Sequence, residues 1–231
     1  VVLTVSEYSQ HKIQQHLGVQ NVAITTNGIS GEFYKMYDKG EVQAIVAEKF
    51  GIENYIIYIS RWESRKNQDL LLRAFAESGL HKTHKLVFVG GHSFENNKYE
   101  EYFDSLSTEV KGKVADLGNV DFADVLLLLR GALLFAYPSA AEGFGIPPLE
   151  AIAADIPTIS SNRTSMADFD FIDDYFFDPS NLDEFKYKLL LALKAGNNEA
   201  QQKKKFTVRE RFNWKQSAIA FNQAIEGRIY Y

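Results

Sequence analysis

Short apolar runs, in which polar residues do not alternate with apolar ones, recur along the chain between segments of helical periodicity. They include YIIYI at 55–59, KLVFV at 85–89 and ALLFAY at 132–137. Strands that are buried on both faces of a parallel sheet have this pattern. Strands that alternate with helices form right-handed βαβ units. The sequence therefore predicts an α/β fold built on a doubly wound parallel sheet.

The same patterns predict the individual elements. The expected strands lie at 1–5, 22–25, 55–59, 85–89, 114–117, 132–137, 157–160 and 175–177. The expected helices lie at 7–17, 41–50, 67–77, 97–110, 121–130 and 147–154. The segment 181–227 has helical periodicity without strands, which predicts two or three C-terminal helices.

Composition excludes several classes of protein. The chain has 231 residues, a length typical of one or two domains, and a formal net charge of -5. Such a chain is unsuited to a nucleic-acid partner that is held through phosphates. The absence of cysteine excludes disulfides, thiolate metal sites and cysteine nucleophiles, and it fits a reducing compartment. The sequence opens on VVLTV without a leader pattern or a starting methionine, so we expect it to begin within a longer protein.

The loop after YIIYI is the first candidate site, because ligands of doubly wound sheets bind outside the carboxyl ends of the strands. Three cations, Arg61, Arg65 and Lys66, precede a helix whose N-cap we expect to be Asn67. A cation at a helix N-terminus is unfavourable by about 0.3–1 kcal/mol, and a bound phosphate would reverse that sign. The loop is therefore either an anion site or a solvated loop whose arginines point away.

Paired glycines follow the strand KLVFV. Gly90 and Gly91 allow either a tight turn or a close approach of the backbone to another group, and the sequence leaves both interpretations open. The next residue, His92, does not by itself indicate catalysis.

The stretch EGFGIPPLE at 142–150 follows the strand ALLFAY. Its glycines allow the backbone amides of 143–146 to turn toward a ligand, and its two prolines are tolerated in a first helical turn. A carboxylate accepts hydrogen bonds from two hydroxyls at once, so Glu142 and Glu150 suit the vicinal diols of a ribose or a hexose. The alternative is a surface position for Glu142 and a helix-dipole role for Glu150.

Several motifs together resemble one enzyme family. PSAAEGFGIPPLEAIA (138–153) resembles the signature of retaining glycosyltransferases of family 4, two glutamates separated by seven residues, and that family has the GT-B fold. SRWESRKNQDLLLRAF (60–75) is similar to the family's arginine-and-lysine loop. The family's usual order also holds for TNGI (26–29), LVFVGG (86–91), LGNV (117–120) and FFDPSNLDEF (176–185). The resemblance covers essentially the whole chain.

The resemblance implies the C-terminal, donor-binding half of a GT-B enzyme, with a Rossmann-like sheet. Residues 1–25 would be a remnant of the N-terminal domain and the linker, 26–211 the nucleotide-sugar-binding domain, and 212–231 the crossover helix and tail. The implied reaction moves a hexose, with retention of configuration, from a nucleoside-diphosphate sugar to a glycan or lipid-linked acceptor. The missing half would hold that acceptor. The residues of the motifs RKN and EGFGIPPLE favour mannose as the sugar.

The implied partners and location follow from the same family. The reaction would need neither a bound metal nor another cofactor, and nucleic acid would not be a partner. The full-length enzyme would act in the cytoplasm and associate peripherally with the inner face of the membrane. This chain alone would bind the donor without transferring the sugar.

The resemblance also implies residue roles. Arg61 and Lys66 would hold the donor diphosphate and stabilise the leaving group, and with Glu142, beside the transferred sugar, they form the catalytic set. Glu150 would bind the ribose hydroxyls. We expect the open cleft of this half to leave Glu142 in water. The donor-binding set is Arg61, Lys66, Gly90, Gly91, Gly118, Asn119, Val120, Gly143, Phe144, Gly145, Ile146 and Glu150.

Four positions depart from the family pattern, and two other functions stay open. Ser60 and Asp155 stand where glycine is commoner, Thr26 where proline is, and Asp168 where glutamate is.

One alternative function is a non-catalytic module that binds a nucleotide sugar. The other is a different GT-B enzyme, such as a nucleotide-sugar epimerase or a phosphorylase.

Overall fold

A parallel sheet forms the centre of the computed structural model, which describes residues 1–92 and 97–227. Its strands are β3 (Tyr55–Ile59), β4 (Lys85–Val89), β5 (Val114–Asp116), β6 (Leu134–Tyr137), β7 (Thr158–Ser161) and β8 (Phe176–Phe177). They are arranged in the order β5-β4-β3-β6-β7-β8. A separate parallel pair joins β1 (Val2–Thr4) to β2 (Val22–Ile24). The predicted doubly wound α/β fold is confirmed.

Helices connect these strands, and three of them follow the last strand. They are α1 (Glu7–Leu17), α2 (Lys39–Phe50), α3 (Gln68–Glu77), α4 (Asn97–Ser105), α5 (Thr108–Lys111), α6 (Phe122–Gly131), α7 (Ile146–Ala153), α8 (Leu182–Ala195), α9 (Glu199–Arg211) and α10 (Trp214–Glu226). The last three confirm the predicted C-terminal helices. None of the helices in the described part of the chain is long and apolar enough to cross a membrane.

The single helix predicted over 97–110 is wrong, because the chain leaves the helical conformation at Ser107. That residue is extended, with φ -63° and ψ 155°, and its hydroxyl accepts a hydrogen bond from the amide of Val110 at 3.4 Å. A serine with this geometry is an N-cap, so it ends α4 and begins α5.

The central strands are buried on both faces. Ile56, Ile57, Leu86, Val87 and Phe135 are each 0% exposed, which accounts for the apolar runs in the sequence. Burying one such side chain stabilises the fold by about 1.5–3 kcal/mol. The core therefore fixes where each strand ends, and with it the position of every loop that follows.

The order of the strands reverses between β3 and β6. The chain runs from β3 outward through β4 to β5, and then returns to pair β6 with the other edge of β3. In open parallel sheets, ligands bind in the crevice at such a switch point, outside the carboxyl ends of the strands. The loops that begin at Ser60 and Pro138 lie along this crevice.

The N-terminal segment packs against the carboxyl edge of the large sheet. The hydroxyl of Ser6, which caps α1, donates a hydrogen bond to the carbonyl of Gly143 at 2.7 Å. The amide of Ile29 donates to the carbonyl of Phe212 at 2.9 Å. The division of the chain into three segments, which the family resemblance implies, stays a prediction.

Two departures from the family pattern have local structural explanations. Asp155 has a φ of 66°, in the left-handed region that favours glycine, and the Gln202 amide group donates to its two oxygens at 2.8 and 2.9 Å. Asp168 accepts a hydrogen bond from the backbone amide of Tyr8 at 3.1 Å. Each aspartate is thus held by a group from a distant segment.

The loops after β3 and β4 approach each other most closely at Gly90. Its φ is +135°, and a Cβ atom there would lie 2.0 Å from the carbonyl oxygen of Ser60. The protein's own backbone therefore requires glycine at this position, which is the close-approach interpretation of the sequence.

Replacing Gly90 with alanine should destabilise the fold by about 3 kcal/mol, because overpacking and a strained φ each cost roughly 1–3 kcal/mol. Urea unfolding measures this change. Gly31→Ala is the matched control, since a Cβ at Gly31 meets nothing within 4 Å. Equal stability of the two variants would contradict the explanation.

Candidate active site

Three loops meet at the carboxyl edge of the sheet. The amide of Ala140, after β6, donates to the carbonyl of Arg65, after β3, at 2.7 Å. The amide of Trp62 donates to the carbonyl of Gly91, after β4, at 2.9 Å. Backbone hydrogen bonds thus join the loops on both sides of β3. Most of the predicted site residues lie on these joined loops, whereas Gly118, Asn119 and Val120 follow β5 and Glu150 lies in α7.

Glu142 is held by four side chains. Its Oε1 accepts hydrogen bonds from the Lys66 ammonium at 2.5 Å, the Ser139 hydroxyl at 2.6 Å and the Tyr137 hydroxyl at 2.9 Å. Its Oε2 lies 3.0 Å from Nη1 of Arg65. Burial alone would raise the pKa of Glu142, but the hydrogen bonds from Lys66 and Ser139 outweigh it and lower that pKa. The carboxylate is therefore ionised and firmly positioned.

The expectation that Glu142 lies in water is wrong. Its side chain is only 11% exposed, because the loops after β3 and β6 enclose it. Residues of this chain alone produce the enclosure, since all four partners belong to it.

Lys66 is also enclosed. Its side chain is 10% exposed, and its ammonium contacts Glu142 and the hydroxyl of Tyr137, the latter at 3.2 Å. A buried ammonium is tolerated only when it is paired and hydrogen-bonded. The cation predicted to bind an anion therefore has an internal partner in this structure.

The other two cations of the loop share a second glutamate. Nη2 of Arg61 lies 3.1 Å from Oε1 of Glu63, and Nη2 of Arg65 lies 2.7 Å from Oε2 of the same residue. Arg61 is 69% exposed, so it has the freedom to reach a ligand. The sequence interpretation treated the cations as unbalanced, and it missed Glu63 as their counterion.

Asn67 occupies the N-cap position of α3 but does not cap the helix with its side chain. Its φ is 53°, and its side-chain amide donates to the carbonyl of Pro138 at 2.9 Å. The prediction that Asn67 is the N-cap residue is therefore confirmed, although its side chain makes no capping hydrogen bond. The side chain instead fixes the loop after β6.

The loop before α7 presents free backbone donors. Gly145 has a φ of 94°, and the amides of 143–146 have no hydrogen-bond acceptor among the residues that the structure describes. Proline at 147 and 148 adds no further donor. Unpaired amides at a helix N-terminus suit an anion. The side chain of Phe144, by contrast, is buried against Phe169 and Phe212.

Glu150, in α7, is mostly buried and lacks a partner among the described side chains. Burial raises its pKa from 4.5 to about 7. A desolvated carboxylate of this kind is stabilised by any hydroxyl that donates to it. Glu150 therefore has acceptor capacity available to a ligand, about one helical turn after Ile146.

The predicted residues after β4 and β5 lie together. A Cβ atom on Gly91 would come within 2.7 Å of the Asn119 side-chain nitrogen, and the amide of Gly90 donates to the carbonyl of Gly118 at 2.8 Å. Val120 is partly buried against the core. These contacts give the residues a packing role, and their contact with a ligand stays a prediction.

The sequence interpretation missed several side-chain contacts near the candidate site. His92 stacks on Trp62 with ring centroids 4.5 Å apart, and its Nε2 lies 2.6 Å from Oδ2 of Asp116. It also missed Tyr137 and Ser139 as partners of Glu142. Their position directly at the end of β6 was the signal that could have found them.

The chain belongs to the family of glycosyl transferases group 1, whose sequence model matches residues 42–209. It is 26% identical over 197 residues to the O-antigen chain mannosyltransferase B of Escherichia coli, covering 84% of this chain and 51% of that protein. It is 32% identical over 109 residues to a GDP-mannose-dependent monoacylated alpha-(1-6)-phosphatidylinositol monomannoside mannosyltransferase of Corynebacterium glutamicum, covering 44% and 27%.

The fold is that of a glycosyltransferase domain with the GT-B architecture. HepE from Anabaena, solved in complex with UDP and glucose, superposes with a TM-score of 0.81 at 18% identity, covering 100% of this chain and 63% of that one. In the sequence comparison, the chain spans about half the length of its E. coli relative, the O-antigen chain mannosyltransferase B. The resemblance to a glycosyltransferase family is confirmed at the level of group 1.

Replacing Glu150 with glutamine should stabilise the protein at pH 8 but not at pH 4. The native state holds the Glu150 proton up to about pH 7, whereas the unfolded state releases it near pH 4.5, so wild-type stability falls between these values. At about 1.4 kcal/mol per pKa unit, the difference at pH 8 is at most about 3 kcal/mol.

Urea unfolding at both pH values measures the effect. Glu48→Gln, at an exposed position of α2, controls for the loss of one negative charge. A Glu150→Gln variant with the same pH dependence as this control would contradict the assignment.

Proposed function

We propose that this chain is the donor-binding half of a retaining glycosyltransferase of family 4. In this proposal it binds a nucleoside-diphosphate sugar at the switch point of the sheet. The observation that carries the proposal is the loop 142–150, which combines a positioned carboxylate, free amide donors and an unpartnered buried carboxylate. Each of these groups matches a different part of such a donor.

The diphosphate is the proposed ligand of the cations and amides. The amides of 143–146 are unpaired, and Arg61 is exposed enough to leave Glu63 for a phosphate. Lys66 can bind a phosphate while it stays beside Glu142, because an ammonium carries three donors. Preorganised positive charge at this point stabilises the charge that develops on the leaving diphosphate. The proposed reaction uses this charge and needs no resident metal.

The two glutamates take the sugars in this proposal. Glu150 accepts hydrogen bonds from the ribose hydroxyls, which satisfy a carboxylate that has no described partner. Glu142 keeps its Lys66 and Arg65 contacts and directs its remaining acceptor capacity to the transferred hexose. Departure of the diphosphate and attack by the acceptor occur on the same face, which gives retention.

Mannose from GDP-mannose is the proposed donor sugar. Support comes from the two relatives, one named as an O-antigen chain mannosyltransferase and the other as GDP-mannose-dependent. The acceptor is proposed to be a glycan or a lipid-linked glycan at the cytoplasmic face of the membrane. Because acceptor placement can supply several kcal/mol of the barrier and is assigned to the other half, we expect this chain to bind donor without transfer.

One observation favours a non-catalytic nucleotide-sugar module as the second candidate. Glu142 has four partners within the chain, so it would be kept for stability alone even without a reaction. Glu142→Gln in the full-length protein separates the two functions. Lost transfer with retained GDP binding supports the enzyme, and a full-length wild type that binds donor but never transfers supports the module.

Two variants should weaken nucleotide binding in different ways. At pH 8, Glu150→Ala removes bonds to a charged group worth about 1.5–3 kcal/mol, so affinity for both GDP and guanosine should fall ten- to a hundred-fold. Arg61→Ala should weaken GDP and leave guanosine unchanged, because only the diphosphate carries the charge it contacts.

Isothermal titration calorimetry of this chain measures both effects, with UDP and uridine as a second ligand pair. Lys49→Ala, in an exposed ion pair with Asp124, is the control for a lost cation. The proposal fails if the chain binds neither nucleotide, or if Glu150→Ala binds GDP as tightly as wild type.

A further inference from the structure

Arg65 joins the two loops that form the site. Its Nη1 donates to the carbonyl of Ala141 at 2.6 Å and lies 3.0 Å from Oε2 of Glu142. Its Nη2 lies 2.7 Å from Oε2 of Glu63. Its own carbonyl accepts a hydrogen bond from Ala140 at 2.7 Å. One residue thus contacts the loop after β6 through both its side chain and its backbone.

The two oxygens of Glu142 are held differently. Oε1 has three donors, Lys66, Ser139 and Tyr137, whereas Arg65 is the described side chain that contacts Oε2. The three donors hold the position of Oε1, and Arg65 holds the position of Oε2, so the plane of the carboxylate is fixed from both oxygens. A planar guanidinium suits this task, because its donors point in fixed directions and reach two acceptors at once.

Glu63 holds the guanidinium in the required orientation. Glu63 binds the terminal nitrogen Nη2 of Arg65, whereas Ala141 and Glu142 bind the other terminal nitrogen, Nη1. With both terminal nitrogens bound by protein groups, Arg65 has little freedom to turn toward a phosphate. It differs in this respect from Arg61, which has a single ion-pair partner among the described residues.

We propose that Arg65 is a positioning residue that orients the carboxylate of Glu142 toward the transferred sugar, and that Glu63 fixes Arg65 for this role. This inference rests on the proposed function, because it assigns Glu142 to the sugar. It predicts that Arg65 matters for the hexose part of the donor and not for the nucleotide part. A phosphate-binding arginine would show the opposite preference.

The test compares GDP-mannose with GDP by calorimetry on this chain. In Arg65→Met, the ratio of the GDP-mannose Kd to the GDP Kd should rise about five- to tenfold over wild type, while the GDP Kd changes less than about threefold. Arg65→Lys keeps the charge but lacks the planar guanidinium with its two terminal nitrogens. Its ratio of the GDP-mannose Kd to the GDP Kd should therefore lie between those of wild type and Arg65→Met. Arg73→Met, an exposed arginine of α3 that contacts the Tyr102 ring, should leave the ratio unchanged.

A double-mutant cycle shows whether Arg65 acts through Glu142. Glu142→Gln alone should raise the ratio, and adding Arg65→Met to it should produce no further rise. Independent, multiplying effects of the two substitutions would overturn the inference. So would an Arg65→Met variant that weakens GDP and GDP-mannose equally.

The outcomes separate this inference from the proposed function. A wild-type chain that binds neither GDP-mannose nor UDP-glucose contradicts both. A wild type that binds GDP-mannose, with a raised ratio in Glu142→Gln but an unchanged ratio in Arg65→Met and Arg65→Lys, supports the proposed function and overturns the role of Arg65 alone. Thermal unfolding of each variant shows that it is folded, and Arg65→Lys carries the test if Arg65→Met does not fold.

Discussion

The buried ion pair between Lys66 and Glu142 sets the geometry of the candidate site. Removing one partner of a buried ion pair costs about 3–5 kcal/mol, and Glu142 is the carboxylate that the Lys66 ammonium contacts. The pair joins the loop after β3 to the loop after β6, and these strands are neighbours with Ile56 opposite Leu134. The register of the sheet therefore determines where the two charges meet.

Around this satisfied pair, the site contains groups that are not satisfied within the described chain. The amides of 143–146 lack acceptors, and Glu150 is buried without a donor. Unsatisfied polar groups cost stability, and a chain keeps them where a ligand supplies the missing partners. A nucleotide sugar carries both kinds of partner, phosphate oxygens and ribose hydroxyls. In the proposed complex, the cost to the free protein is recovered as affinity.

The fold and the loops that carry the candidate site were predictable from sequence because they depend on local patterns. Apolar runs such as YIIYI mark strands buried on both faces, and EGFGIPPLE marks the loop that follows one of them. The ion-pair partners of Glu142 were not predictable, since Arg65 and Lys66 come from another loop and their directions depend on strand register. The positive φ of Asn67 was not predictable either, because its side chain donates a hydrogen bond to the carbonyl of Pro138, which is distant in sequence.

A crystal structure of this chain with GDP-mannose is the most direct test of the central claim that the loop 142–150 and Lys66 form a nucleotide-sugar site. The account predicts phosphate oxygens within about 3.2 Å of the Lys66 ammonium or the amides of 143–146. It also predicts that the ribose hydroxyls donate to Glu150. A nucleotide bound elsewhere on the chain, with Glu150 still unpartnered and the amides still free, would contradict it.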